Sequence, residues 1–426
     1  MHVVIIGNGI SGITTARHIR KRSSYKITVI SSESKHFFSR TALMYVYMGH
    51  LKKEHLKPYE DHFWKKNNID LLQEKVKSID FEQQSISLAG GQSMAYDRLV
   101  LATGSTPRFG DWPGVHLDGV QGLYSLQDLE KIEAKTSEIK KASVVGGGLI
   151  GIELAEMFHS RHIPVSFLVR EKSYWAKVLP KEESILVSQH IQSKGIDLHY
   201  ETELSTINSL DGRKVSSIST SKNEEITCEF VGISIGVQPQ IEFLKSSDLE
   251  TDRGILVDHK LQTSQKNVYA VGDCAQFRQP ISGRKVNEQI WYTGKIQGET
   301  CAKNITGTAE NYNPGIFFNS AKLFDIEYQI YGTVDADASS KQGNVFWQHP
   351  TENKSIRLCY DPSTEEIEGF NLLGIRYRHE VCEQWIREKK TIGEVINHLG
   401  LANFDPEFHQ RHEKEIKIVF QQKSSK

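Results

Sequence analysis

The chain opens on Val3-Val4-Ile5-Ile6-Gly7-Asn8-Gly9-Ile10-Ser11-Gly12, and Val144-Val145-Gly146-Gly147-Gly148-Leu149-Ile150-Gly151 repeats that design. In each stretch an apolar run ends in a glycine-rich turn and gives way to a helix-like segment. Such runs read as buried parallel strands, because a strand covered on both faces is continuously apolar. The glycines let the backbone approach a pyrophosphate seated on the N-terminus of the following helix. One loop of this kind is weak evidence. A matched pair implies two dinucleotides, with electrons passing between them.

The rest of the chain falls into place around the pair. The stretch from Ile10 to Ile19 is the first helix, Ile27-Thr28-Val29-Ile30 the second strand, and Arg98-Leu99-Val100-Leu101 a further apolar strand that ends in Ala102-Thr103-Gly104. Trp112-Pro113-Gly114 reads as a linker, after which Leu149 to Phe158 and Val165 to Val169 rebuild the same strand–helix–strand unit. Val231 to Gly236 closes that second unit as a strand and turn, and Pro239 favours a crossover there. Residues 255–257 and Val268 to Val271 are expected to return to the first domain. Beyond about residue 311, Phe324 to Ile330 and Asn344 to Trp347 suggest antiparallel sheet. A charged helix is expected near residues 379–390, and Gln421 to Lys426 should be a frayed tail.

Bulk properties narrow the class. At 426 residues, and roughly 100–200 residues per domain, three domains are expected. A formal net charge of -1 gives no global pull towards nucleic acid or anionic membranes. The cysteines (228, 274, 301, 359 and 382) form no CxxC or CxxxxC pair, so no disulfide framework is expected and a reducing cytoplasm is the natural setting. The first strand begins without a basic leader, and no apolar run nears the roughly 20 residues of a membrane-spanning helix. A soluble protein with no membrane and no nucleic-acid partner is expected. His159-x-x-His162 and His409-x-x-His412 have helical spacing but no third ligand, so no metal site is expected.

Four motifs in order resemble the FAD-dependent pyridine nucleotide–disulfide oxidoreductase superfamily over roughly residues 1–335: the opening loop, Ala102-Thr103-Gly104-Ser105-Thr106-Pro107-Arg108, the second loop followed by Glu153, and Tyr269-Ala270-Val271-Gly272-Asp273-Cys274-Ala275. The resemblance implies an α/β fold: two Rossmann-like dinucleotide-binding domains, glutathione-reductase-like, plus a C-terminal α+β domain. It implies a discontinuous FAD domain (1–115 and 240–311), an NAD(P)H domain (116–239) and a C-terminal interface or acceptor-docking domain (312–426).

By the same resemblance Gly7, Gly9, Ile10, Ser11 and Gly12 cradle the FAD pyrophosphate, Glu33 takes the adenosine ribose, and Asp273, after Gly272, bonds the ribityl chain. Ala102, Thr103, Gly104 and Arg108 belong to the FAD turn. Arg40 is implied near the flavin or its diphosphate, Glu288 and Trp291 at the start of a helix facing the isoalloxazine, and Lys322 at the flavin edge or the acceptor. Gly146, Gly148, Leu149, Ile150, Gly151 and Glu153 would bind NAD(P)H, with Gly236 in the turn that closes that unit. Arg170, just after the strand, would pair a 2′-phosphate, while Glu171 and Gly151 argue for NADH; the balance leans slightly to NADPH.

Relatives that reduce disulfides or peroxides carry a thiol near residues 39–45. Here that stretch reads Ser39-Arg40-Thr41-Ala42-Leu43-Met44-Tyr45, which excludes chemistry through such a thiolate. The resemblance therefore points to the cysteine-free branch: ferredoxin, rubredoxin or Rieske-protein reductases, nitrite reductase FAD modules and apoptosis-inducing-factor-like proteins. The expected activity is hydride transfer from NAD(P)H to FAD, then electrons to an external acceptor such as a ferredoxin- or rubredoxin-like protein. Direct reduction of oxygen or a quinone, and a redox-sensing role, stay open. So does a homodimer.

Overall fold

A computed structural model describes residues 1–281, 283–337, 341–404, 407 and 410–424. The chain divides into two compact units. Unit 1 comprises Met1–Arg108, Gly122–Thr136 and Gly236–Pro314; unit 2 comprises Phe109–Gln121, Ser137–Ile235 and Gly315–Lys426.

Unit 1 is built on a five-stranded parallel sheet in the order Val268–Ala270, Arg98–Leu101, β1 (His2–Ile6), Lys26–Ser31, Ile69–Gln73. Val3, Val4 and Ile5 are fully buried at its centre, as their unbroken apolar run demands. Helix α1 (Ile10–Arg22) follows β1 and packs against the helix Trp291–Ile305. Gly298 permits that approach, since a Cβ there would sit 2.7 Å from the Ser11 carbonyl oxygen. Residues 76–95, irregular in sequence, form a three-stranded antiparallel sheet instead, and Ile255–Val257 pairs with Ala275–Phe277 beside the main sheet. At Pro239 the strand Val237–Pro239 pairs antiparallel with Ser105–Pro107.

Unit 2 contains a second parallel sheet, ordered Asp197–Tyr200, β3 (Val165–Val169), β2 (Ala142–Val145), Phe230–Ile233, Val120–Gln121. Helix α2 (Leu149–Ser160) follows β2 as α1 follows β1, and α3 (Lys181–Ser193) follows β3. A five-stranded antiparallel sheet completes the unit: β4 (Phe318–Leu323), β5 (Ile326–Gly332), β6 (Gly343–Gln348), β7 (Ser355–Tyr360) and β8 (Ile367–Leu373), in the order β4-β5-β8-β7-β6. Buried Arg357 on β7 donates through Nε (2.7 Å) and Nη2 (2.8 Å) to fully buried Glu183 on α3, joining this sheet to the nucleotide-type half.

The fold is therefore α/β with two Rossmann-like halves and an α+β C-terminal part. Four local expectations are corrected. Phe324 and Asp325 form the turn of the β4–β5 hairpin rather than strand, with Phe324 at φ 56°. The charged helix stops at Arg387, and Gln421 to Ser424 continue a terminal helix, Glu413–Ser424, rather than fraying. His162 lies past the end of α2 at φ 59°, off the helical face of His159. Ser425 and Lys426 lie outside the described residues, and so does His409. No helix among the described residues is long and apolar enough to cross a membrane.

Candidate functional site: two glycine loops

The two loops solve one steric problem in one way. Gly7 and Gly146 both turn at φ 112°, and a Cβ would fall 2.0 Å from the Ala102 carbonyl oxygen in the first and 2.5 Å from that of Ser234 in the second. A Cβ on Gly12 or Gly151 would strike the carbonyl oxygen of Gly7 or Gly146, at 2.0 and 2.2 Å. These outer glycines are demanded by the protein's own backbone. The middle ones are not. Gly9 (φ -69°, ψ -177°) and Gly148 (φ -100°, ψ -175°) adopt extended backbone open to any residue, and a Cβ on either meets no described atom within 4 Å. Each is the N-cap of its helix, no side chain caps that end, and neither first turn holds an acid. Bare N–H groups and the positive end of the helix dipole then face a space kept clear of side chains. Both loops fit the pyrophosphate of a dinucleotide.

Around the first loop, unit 1 assembles most of the expected side chains. Glu33 follows the strand Lys26–Ser31 and accepts two bonds from Arg40, from Nη1 at 3.0 Å and Nη2 at 2.6 Å, and a third from the Leu126 amide at 3.0 Å. Arg40 lies over the Tyr124 ring, 4.4 Å from its centroid, and also donates to the Tyr124 carbonyl. Asp273 accepts from Ser105 Oγ at 3.0 Å, and Gln289 Nε2 donates to that same hydroxyl at 3.1 Å. Burial raises the Asp273 carboxyl above its ordinary pKa, with the Ser105 bond and the Arg40 charge opposing. Burial also pushes the Tyr124 phenol up to about 12, Asp273 adding to it, so the Tyr124 hydroxyl stays protonated while accepting from the Ser105 amide. Thr103 Oγ1 donates to the Gln240 carbonyl at 2.8 Å, Gly104 faces the Tyr124 hydroxyl, and the exposed Arg108 reaches the Gly236 carbonyl through its amide. Gly272 donates to Gln297 Oε1 at 2.7 Å. Glu288 is clasped by Arg284, two bonds of 2.6 Å, and Trp291 opens its helix 39% exposed.

The described residues of the first loop, the Asp273 turn and the second loop fall within one match: residues 1–298 fit the family described as pyridine nucleotide-disulphide oxidoreductase. The chain belongs to this family. It is 28% identical over 313 residues to a rubredoxin-NAD(+) reductase of Pseudomonas putida, covering 72% of this chain and 81% of that protein. It is 30% identical over 379 residues to an NADH oxidase of Methanocaldococcus jannaschii, covering 86% and 84%. A ferredoxin reductase of Rhodopseudomonas palustris shares its structure at TM-score 0.80 and 26% identity, over 88% of this chain and 91% of that one. The protein is an FAD-dependent NAD(P)H oxidoreductase.

The stretch Ser39 to Tyr45 holds no cysteine. All five cysteines are buried, and burial pushes the Cys274 thiol up while it donates to the Leu101 and Val271 carbonyls, a packing role. In unit 2 the exposed Arg170 rests its Nε on Glu171 at 3.0 Å, and Lys177 approaches the same carboxylate at 3.5 Å. Leu149 and Ile150 form the half-buried first turn of α2. Glu153 lies one turn on, its carboxyl pushed up to about 7 by burial and then by Glu156. Lys322 stands on β4 and binds Glu156 Oε1 at 2.6 Å. No described group of three or more His, Cys, Asp or Glu is placed to hold a metal ion.

Sequence reading missed Tyr124, Ser105, Gln289, Tyr174 and Glu156. Only Tyr124 had a readable signal: Ser125 and Asp128 form a capping box that fixes the start of a helix right after it.

Proposed function

We propose that this protein carries electrons from NAD(P)H through FAD to a small iron–sulfur electron carrier of ferredoxin or rubredoxin type. The observation that carries the reading is the pair of middle glycines, Gly9 and Gly148, each kept bare at a helix end with no demand from the protein itself. The names of the relatives, a rubredoxin reductase and a ferredoxin reductase, support the acceptor class.

When bound, FAD supplies the conversion of a two-electron hydride donor into one-electron steps. The chain's residues bind and orient. Gly7 to Gly12 receive the FAD pyrophosphate, and Glu33, held by Arg40, accepts the ribose hydroxyls of the adenosine. A cavity of about 370 Å³, lined by Phe38, Leu56 and Leu126 and rimmed by Lys35, Lys53 and Lys57, would take the adenine. Asp273 accepts from the ribityl hydroxyls, with Ser105 and Gln289 fixing its carboxylate. The N-terminal end of the helix at Trp291 would offer a positive dipole to bound flavin. Gly146 to Gly151 seat NAD(P)H, and Arg170 meets the adenosine end. FAD is thus assigned to residues 1–115 and 240–311 together with Gly122–Thr136, which carries Tyr124 and Leu126, NAD(P)H to the remainder of 116–239, and acceptor docking to 312–426. Five buried, unpaired cysteines suit a cytoplasmic setting.

Anaerobically reduced protein should reduce a ferredoxin or rubredoxin far faster than it reduces oxygen. A faster reaction with oxygen than with any such carrier would move the assignment to the second reading, direct reduction of oxygen, which the NADH oxidase relative favours.

A further inference from the structure

Two glutamates sit one helical turn apart on α2, and the protein answers their charges unequally. Glu156 is 6% exposed. Its Oε1 receives Lys322 Nζ at 2.6 Å, while its Oε2 is buried with no hydrogen-bond partner among the described residues. A buried carboxylate oxygen left bare is costly, and native structures rarely leave one so. Glu153 lies at the i−3 position, whose side chain stands over the same face of the helix. Two neighbouring carboxylates do not both ionise readily, and one keeps its proton. A protonated Glu153 would supply the donor that Glu156 Oε2 lacks.

The other polar groups around the pair are already committed. Tyr174, fully buried on the segment after β3, donates its hydroxyl to the Gly148 carbonyl at 3.1 Å, and burial and then Glu153 hold its phenol well above its ordinary pKa. Lys322, on β4, faces Glu156. His159, a turn further along α2, turns its ring to Phe324. Among the described residues no cation pairs with Glu153 itself, and the one influence on it besides burial is the charge of Glu156.

We propose that Glu153 and Glu156 share one proton beside the second glycine loop, with Lys322 balancing the single charge of the pair. The trio is then neutral overall where an anionic dinucleotide must approach, and ionising Glu153 places an uncompensated negative charge next to the loop. The proton leaves to solvent as pH rises, and nucleotide affinity falls with it. This inference rests on the assignment of NAD(P)H to the second loop.

The test is an infrared pH titration of the flavoprotein carrying ¹³C-labelled glutamate carboxyls, which separates their bands from those of flavin. A labelled carboxylic-acid band should persist well above the ordinary glutamate range, about pH 4.3, and vanish near neutrality. It should be absent in Glu153→Gln. In Glu156→Gln the neighbouring charge is gone, and the midpoint should drop by at least a tenfold change in proton affinity. In Lys322→Met the pair should hold its proton to higher pH. Absence of the band in the native protein at about pH 6, its survival in Glu153→Gln, or an unmoved midpoint in Glu156→Gln would overturn the proposal; the last arm serves even where Glu153→Gln fails to fold. Calorimetric titration with NADH and NADPH at both ends of the range separates the two claims. A titrating band without nucleotide binding at either pH would sink the loop assignment and leave the shared proton standing. Binding without the band would do the reverse.

Discussion

The two glycine loops share a backbone but differ in what surrounds them. In unit 1 the acid after the second strand, Glu33, is gripped by both Arg40 nitrogens and an amide, and Asp273 is anchored through Ser105 and Gln289. In unit 2 the slot at the end of β3 holds Val169, followed by an exposed Arg170 on Glu171. A clasp with many fixed partners suits a prosthetic group that stays; an exposed, singly paired charge suits a substrate that exchanges. Under the proposed assignment one local solution to pyrophosphate binding serves two residence times, and the difference lies in side chains brought from elsewhere.

Breaking the shared backbone should have the largest effect. Gly7→Ala and Gly146→Ala each force a side chain into a carbonyl and into left-handed backbone, and roughly 3 kcal/mol or more of stability should be lost. Thermal melts should show little folded protein in either case. Next come the middle glycines, which sharpen the comparison. Gly9→Val should fold and lose FAD, whereas Gly148→Val should fold, keep FAD and bind NAD(P)H about tenfold to a hundredfold more weakly, from an overpacking cost of about 1–3 kcal/mol. Flavin content after purification and nucleotide titration check the pair. Asp273→Ala should loosen FAD by a comparable or smaller amount without altering unit 2, since one hydrogen bond to a charged group contributes about 1.5–3 kcal/mol.

These outcomes track what the sequence made legible. Gly7 and Gly12 constrain one another within six residues and Gly9 caps the helix between them, so the pattern is written locally, as is that of Gly146, Gly148 and Gly151. The Asp273 turn is equally local, since it ends an apolar strand. The clasp on Glu33 was not legible, because Arg40 could be placed near the ligand by resemblance but its partner could not. Lys322 was expected at the flavin edge or acceptor; its bond to Glu156 crosses 166 positions and depends on how the β4–β5 hairpin meets α2. Ser105 and Tyr124 are ordinary residues until the fold sets them beside Asp273 and Arg40.

Smaller effects probe the side chains alone. Arg170→Ala should leave stability within about 0.5 kcal/mol, as an exposed ion pair does, and lower the NADPH-to-NADH affinity ratio in paired titrations. Glu153→Gln should give the mildest signature. The Glu153 carboxyl is held up at about 7 in the folded chain, so the folded state binds more protons than the unfolded one between the ordinary glutamate pKa and neutrality. Stability contributed by the protonated form is full below about 4.3 and is lost as pH rises through about 7. The variant should therefore melt like the native protein in acid and slightly higher than it above neutrality.

The most direct test of two loops with two cofactors is anaerobic stopped-flow reduction of Gly148→Val beside the native protein, mixing each with NADH and with NADPH while following the flavin absorbance. The account predicts full flavin in both, fast bleaching of the native protein by at least one nucleotide, and bleaching slowed at least tenfold in the variant at limiting nucleotide. Unchanged bleaching in Gly148→Val, or a variant that has lost its flavin, would contradict it.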